Sequence, residues 1–287
     1  MSGPGSSDGA TDGTDGRDER DPDTAGTSLA AVLLVHPDSS REYVRAPGEE
    51  LQTDLGVLTV PADVESGDLL ETHLGEPFRA RRLRGPDLFN HFERTGAPMM
   101  PRDIGLVVGH VGAQSGDRVL DAGTGTGVLA GYLGRLGARV TTYEQDADFA
   151  AVARGNMELA GVADRVDVRT GDVRDDLDAL AGSDADADTE SDPDSGSGFD
   201  LLTLDTADAA AVVERAPDLL VSGGYCAVYA PFVEDARAAE EAARAAGLAG
   251  VETLETIQRE LNVDERGTRP STAGVGHTGY LTFGRVE

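Results

Sequence analysis

The chain has no lysine and no tryptophan, a single cysteine, and only 5% aromatic residues in a length of 287. Each absence excludes something. With Cys226 alone, neither an intramolecular disulfide nor a cysteine-rich metal centre can be built. Its surroundings, Gly224-Tyr-Cys-Ala-Val-Tyr229, read as an apolar strand in which the thiol is a small core residue. No run is apolar for long enough to span a bilayer, and the N-terminus has neither a basic start nor an apolar stretch. A cytoplasmic protein without a metal site is expected.

Because lysine is missing, all 24 basic residues are arginine, and they face 53 Asp and Glu for a formal net charge of -29. Enzymes of nucleic acids usually carry a basic face, so an excess of this size ordinarily argues against RNA. The acids, however, are spread through helical, loop and tail segments alike. That distribution reads as adaptation to a very salty cytoplasm, where acidic surfaces hold water and ions and charge repulsion is screened within a few ångströms.

The length leaves room for one full α/β domain and a small accessory one. Residues 1–27 are Gly, Ser, Asp and Thr with almost nothing to bury, and 182–198 repeat that composition. Both are expected to be disordered acidic segments. Residues 28–86 carry short strand patterns (Leu33-Leu-Val, Tyr43-Val-Arg, Gly56-Val-Leu-Thr-Val) between Pro, Gly and Asp turns, which reads as a small β domain. From 87 to 287 strands and helices alternate as in a parallel sheet with helices on both faces. Strand starts are expected near Arg118, Arg139, Val166, Phe199, Tyr225, Thr253 and Tyr280, a helix at Asp235–Ala246, and a late antiparallel strand at the end.

The most informative segment is Asp121-Ala-Gly123-Thr-Gly125-Thr126-Gly127, between the apolar pair Val119-Leu120 and the helix-patterned Val128-Leu129-Ala-Gly-Tyr-Leu. Glycines at every second position, leaving a strand and entering a helix, make a turn tight enough for backbone to touch a ligand. The spacing is not the G-x-G-x-x-G that presents a helix N-terminus to a pyrophosphate. An acid opens the loop instead, which suits a cationic ligand without phosphates. The run resembles the first motif of the S-adenosylmethionine-dependent methyltransferases with a Rossmann-like fold. Two further checks lie downstream. Glu144 ends the second strand, where such folds hold ribose hydroxyls with a carboxylate. Asp172, followed by Val173, comes after the third, where a carboxylate accepts from an adenine amino group. The candidate cofactor set is therefore Asp121, Gly123, Gly125, Thr126, Gly127, Val128, Leu129, Glu144, Asp172 and Val173.

The fourth strand, Phe199-Asp-Leu-Leu-Thr-Leu-Asp205, delivers a carboxylate to the edge of the sheet where ligands bind in open α/β folds. Methyltransferases of exocyclic base amines place two prolines and an aromatic there, and this chain has neither. A single acid fits a ring nitrogen better. Adenine N1 is a neutral nucleophile that need lose no proton before attack, and a carboxylate near N6 would orient the ring and stabilise the cationic product. The alternative is that Asp205 only caps the next helix or contacts the cofactor.

At this point a family resemblance can be stated. Arg94-Thr-Gly-Ala-Pro-Met-Met-Pro101-Arg102-Asp103, Tyr143-Glu144, Leu204-Asp205 and the ending Arg269-Pro270…His277-Thr278-Gly279-Tyr280 resemble the motifs of the TrmI-type tRNA (adenine-N1)-methyltransferases. The resemblance runs from about Leu33 to Val286. It implies a homotetramer that methylates N1 of adenosine in the tRNA T-loop, at position 58 and in archaeal members also 57, with Asp205 matching the catalytic aspartate. The chain departs from the pattern at Ala97, Met100 and Thr206-Ala207-Asp208, which alter the pocket walls. His277 has two readings, contact with the base or tRNA and a local turn hydrogen bond. Arg81 and Arg82, with Arg79 and Arg84, form a dense basic cluster that either grips phosphates or joins domains through nearby carboxylates. Two rival functions are a protein L-isoaspartate O-methyltransferase and a non-catalytic tRNA-binding subunit.

Overall fold

The computed structural model describes residues 29–182, 198–272 and 276–287. The disorder expected for 1–27 and for the interior of 182–198 falls outside the described residues. The N-terminal region is all β: β1 (Val32–Val35), β2 (Glu42–Arg45), β3 (Glu50–Thr53), β4 (Gly56–Thr59), β5 (Leu69–Glu71) and β6 (Pro77–Arg82). Four of these form an antiparallel sheet in the order β2-β1-β6-β5, and β3 pairs with β4 in a separate hairpin.

β1 is apolar at every position and buried on both faces. Val32 and Leu34 point into a small core with Leu51, Leu58, Val60, Phe78 and Ala80. Leu33 and Val35 point the other way, into a cluster shared with Leu88, Ile104, Val119 and Leu133 of the following region. One four-residue strand thus joins two cores, since alternate side chains leave a strand on opposite sides.

The larger region begins with α1 (Gly85–His91) and α2 (Pro101–Val111). It then alternates through β7 (Arg118–Ala122), α3 (Val128–Leu136), β8 (Arg139–Glu144), α4 (Ala147–Ala160), β9 (Val166–Thr170), α5 (Val173–Gly182) and β10 (Phe199–Leu204). The rest is α6 (Ala209–Val213), α7 (Ala216–Leu219), β11 (Leu220–Ala230), α8 (Val233–Ala245), β12 (Ala249–Glu255), β13 (Leu261–Asp264), β14 (Gly267–Pro270) and β15 (Tyr280–Arg285). Seven strands make one sheet in the order β12-β15-β11-β10-β7-β8-β9, with β15 antiparallel to both its neighbours. Residues alternate between its two faces: Val119 and Leu201 enter the cluster under α1 to α4, Leu120 and Leu202 the one under α5 to α8. Chain order reverses at β7, between β8 and β10, so a crevice opens beyond the carboxyl ends of these strands.

Cys226 is buried in β11, and burial pushes its thiol up to about 12, which leaves it unreactive. β11 starts at Leu220, five residues before Tyr225, because its register with β10 shifts across the Gly223-Gly224 pair. β12 likewise starts at Ala249 rather than Thr253, and the expected helix at 235–246 runs from Val233 to Ala245. β3, β5, β6 and the β13-β14 hairpin have no counterpart among the expected strands; the hairpin is exposed along its whole length.

Phe78 has no solvent exposure at the centre of the N-terminal core. Phe78→Ala should destabilise the protein by about 3 to 5 kcal/mol through lost transfer energy and a residual cavity. Denaturant titration in high KCl measures this, and a loss under about 1 kcal/mol would show that this core contributes little.

Candidate active site

Asp121, at the end of β7, is 4% exposed, and hydroxyls reach it from both flanking strands. Thr142 of β8 and Thr203 of β10 each donate to its carboxylate at 2.5 Å. The Thr142 proton being committed there, the Thr124 hydroxyl donates to Thr142, also at 2.5 Å. Burial pushes the Asp121 carboxyl above the usual range, the two hydroxyls oppose that, and the charge of Glu144 adds to it.

The loop after β7 then closes on its neighbours. Gly123 has φ +90°, and a Cβ there would lie 2.0 Å from the Asp205 carbonyl oxygen, so only glycine lets the two strand ends meet. The N–H groups of Gly123 and Thr124 donate to the Tyr143 carbonyl at 3.0 and 3.2 Å. Gly125 donates its N–H to Glu144 Oε2 at 2.8 Å, and Asp146 donates to Oε1 at 3.1 Å. Glu144 is therefore aimed by backbone, with lone pairs left for a diol.

Two adjoining cavities line this loop. The larger, about 340 Å³, is walled by residues that include Gly123, Gly125, Glu144, Phe149, Asp172, Val173 and Asp205. The smaller, about 110 Å³, includes Thr95, Asp121, Thr126, Gly127, Val128 and Leu129. Gly123, Gly125, Ala97, Phe149 and Asp205 border both. All ten candidate cofactor residues and Asp205 thus meet in one crevice. Asp172 is held by Arg174 (Nη2 to Oδ2 2.5 Å), which keeps its carboxyl below the ordinary range, and Arg174 also reaches Asp208 at 3.1 Å.

Asp205 is half-buried and directly follows β10, with its N–H on the Ala122 carbonyl. Burial first, and then the charge of Asp121, raises its carboxyl to about 7. A cationic ligand in the crevice would reverse that shift and favour the carboxylate.

Arg81, Arg82 and His277 do not line these cavities. The two arginines project from β6 into solvent. Arg82 and Arg84 are near enough to Arg135 to oppose its charge, although burial is the larger cause of the lowered Arg135 value. His277 Nδ1 lies 2.6 Å from Glu255, and its ring packs at 4.9 Å from that of Tyr280. Sequence reasoning missed Thr95, Gln145 and Phe149 in the walls, and the two threonines that satisfy Asp121. An exposed aromatic in the first turn after a strand-end acid is the signal that would have found Phe149.

The same architecture appears in solved structures. A SAM-dependent O-methyltransferase from Thermotoga maritima superposes with a TM-score of 0.68 at 22% identity, over 89% of this chain and 92% of that one. The tRNA (m1A58) methyltransferase TrmI from Aquifex aeolicus superposes with a TM-score of 0.62 at 21% identity, over 90% and 97%. Fold and crevice are those of a Rossmann-like class I S-adenosylmethionine-dependent methyltransferase with an N-terminal β region. Residues 93–268 match the family described as tRNA methyltransferase complex GCD14 subunit. The tRNA (adenine(57)-N(1)/adenine(58)-N(1))-methyltransferase TrmI of Methanocaldococcus jannaschii is 31% identical over 288 residues, 90% of this chain and 95% of the relative. This chain belongs to that tRNA methyltransferase family.

Two predictions follow from the carboxylates. Glu144→Ala should weaken S-adenosylmethionine binding by about 2 to 3 kcal/mol, the value of hydrogen bonds to a charged acceptor, without unfolding the chain. Unchanged affinity by calorimetry would take Glu144 out of the site. For Asp205, the raised folded-state value means that below about pH 4 both states are protonated and nothing is lost. As pH rises from about 4 to about 7 only the unfolded state ionises, and stability falls. Asp205→Asn should therefore be more stable than the wild type at pH 8, by about 1 to 2 kcal/mol after allowance for partial solvent access, with the gap closing toward pH 4. Identical melting at pH 8 would contradict the buried-acid account.

Proposed function

We propose that this protein methylates N1 of adenosine in the T-loop of tRNA, at position 58 and also at 57, as the M. jannaschii relative is named for doing. The observation that carries the reading is Asp205. It is the carboxyl that borders both cavities at the glycine loop, in a segment without the prolines and aromatic that amine-directed enzymes use. Family membership and likeness along nearly the whole chain, N-terminal region included, favour this over an isoaspartate methyltransferase. The complete set of acids and glycines in the crevice favours it over a non-catalytic subunit.

The residues present suit S-adenosylmethionine. Gly123 and Gly125 would let backbone approach it, Glu144 would take its ribose hydroxyls, and Asp172 with Val173 would border the adenine, while Thr126, Gly127, Val128 and Leu129 shape the smaller cavity. When bound, the cofactor would supply the methyl group, the bond to adenine N1 forming as the sulfonium–methyl bond breaks, with a neutral thioether and a cationic base as products. Asp205 would hold the N6 amino group and thereby orient the ring toward the methyl donor, and its negative charge would offset the charge that moves onto the ring. Asp121 stays buried and adds to the negative field on the cationic side of the ligand.

Arg82, grouped with Arg84 and Arg135, and the exposed Arg81 next to it in β6 offer the local positive field that tRNA phosphates need on an acidic protein. For His277 the hydrogen-bond contact with Glu255 favours the local reading over base contact. The β13-β14 hairpin leaves Leu261 61% and Val263 76% exposed, which supports the homotetramer implied by the family resemblance. The net charge of -29 supports a halophilic, cytoplasmic setting; the division expected at residue 86 falls inside α1, and the change from all-β to α/β comes between Arg82 and Gly85.

Incubation of unmodified tRNA with enzyme and S-adenosylmethionine should place reverse-transcription stops at adenosine 58, and at 57 where it is adenosine. In single turnover at saturating cofactor and tRNA, in high KCl, Asp205→Asn should slow transfer by about 10²- to 10³-fold while tRNA affinity changes little. A near-normal rate would leave Asp205 as a binding or capping residue.

A further inference from the structure

Two motifs outside the crevice walls, Pro101-Arg102-Asp103 at the start of α2 and His277-Thr278-Gly279-Tyr280 at the start of β15, come together beside it. Asp103 is 2% exposed and accepts from the Thr278 hydroxyl at 2.8 Å. That same hydroxyl accepts from Arg102 Nη2 at 3.0 Å. The Arg102 side chain is 12% exposed, its Nε is 3.8 Å from Asp103, and Nε is the buried side-chain polar atom without a hydrogen-bond partner among the described residues. Thr278 is thus held on both sides by a charged pair from another element.

What the held residue supports is Tyr229. Its hydroxyl donates to the Thr278 carbonyl oxygen at 2.7 Å. Gly279 makes room for the ring: a Cβ at that position would lie 2.5 Å from the ring carbon bearing the hydroxyl. β10 and β11 are parallel with Leu204 level with Val228, so the next residues, Asp205 and Tyr229, are level with each other at the sheet edge. Neighbouring residues on parallel strands point to the same side, and the strands are about 4.8 Å apart. The Tyr229 phenol is raised by burial first, then by the charges of Asp103 and Asp205, which places it within the field of both acids.

We infer that Arg102, Asp103 and Thr278 are positioning residues for the transfer: they fix the Thr278 carbonyl, and through it the Tyr229 hydroxyl, beside Asp205. The clamp leaves that hydroxyl with its proton spent on Thr278 and only lone pairs to offer. None of Arg102, Asp103, Thr278 and Tyr229 lines either cavity. Loss of the clamp therefore acts on the chemical step and not on cofactor affinity. The inference rests on the proposed methylation of adenosine.

The test is a double-mutant cycle on the full chain. Thr278→Val keeps the shape and removes the hydroxyl; Tyr229→Phe removes the bond to the carbonyl. Each should slow single-turnover transfer by about tenfold, the worth of roughly one hydrogen bond, with cofactor affinity within twofold of the wild type. Acting through one another, the two changes together should cost no more than the larger alone. Thr278→Ser should restore a near-wild-type rate. Should Thr278→Val not fold, Asp103→Asn takes its place in the cycle. Losses that multiply to about a hundredfold, or a Thr278→Ser variant as slow as Thr278→Val, would overturn the inference. The cycle is run on whichever nucleoside the wild-type chain methylates, and ring signals of ¹³C-tyrosine-labelled protein report the place of Tyr229 without turnover. A Tyr229 signal unmoved by the clamp substitution also overturns it, whereas a wild-type enzyme active on another acceptor counts only against the proposed substrate.

Discussion

The Asp121 carboxyl, buried between hydroxyls from β8 and β10, ties three neighbouring strands together at the ends where the crevice opens. Without those hydroxyls the acid would be an unpaired polar group in an apolar interior, at a cost of several kcal/mol. With them it becomes a fixed point. From it the chain turns through Gly123, which has to touch the Asp205 backbone, and reaches Gly125, whose N–H aims Glu144. The carboxylates that border the cofactor space are therefore linked through backbone contacts, so that displacing the loop would move them together. The same closeness has an electrostatic consequence: the charge of Glu144 adds to the cost of ionising Asp121, and Asp121 does the same to Asp205. A crevice walled by Asp121, Glu144, Asp172, Asp205 and Asp208 against Arg174 is short of positive charge, and a sulfonium relieves that shortage where a phosphate would worsen it.

β1 connects this site to the N-terminal region. With Val32 and Leu34 in one core and Leu33 and Val35 in the other, the small sheet is packed onto the helices that border the crevice and is not merely tethered to them. Arg81 and Arg82 pair directly with Leu33 and Val32 across β1 and β6. A substrate bound by those arginines would be held in a fixed relation to the floor of the crevice, the arrangement that positioning of a large substrate requires.

The parts of the site legible in the sequence are those where backbone conformation dictates residue type. Gly123 and Gly127 have positive φ and close neighbours, and glycine is the residue that tolerates both, so the loop could be read directly. Glu144, Asp172 and Asp205 were legible because acids interrupt apolar strands at their ends. Thr142 and Thr203 were not: threonine is an ordinary strand former, and nothing local separates one that satisfies a buried acid from one that fills a pleat. In Phe78-Arg79-Ala80-Arg81 the alternation that makes β6 a strand was present, but it lay under a charge pattern that drew attention to the arginines. The β13-β14 hairpin had no burial pattern to read, since all eight of its residues face solvent. The Arg102-Asp103-Thr278 cluster joins residues more than 170 positions apart, a separation that no local pattern reports.

An acidic protein acting on a polyanion poses the remaining physical question. At low salt a net charge of -29 would repel tRNA at distances well beyond contact. On the halophilic reading the screening length falls to about 3 Å, so the excess is felt only by groups already touching. Steering then contributes little, and so does the counterion release that drives binding in dilute salt. Affinity has to come from short-range contacts that salt does not weaken in the same way: bidentate guanidinium–phosphate geometry, stacking, and apolar surface. Arginine provides the first two, through its planar fork and its weaker hydration, and lysine provides neither. The absence of lysine from this chain and the retention of arginine on β6 are then two sides of one constraint: under strong screening, the cations kept for a nucleic acid are those that bind by shape as well as by charge.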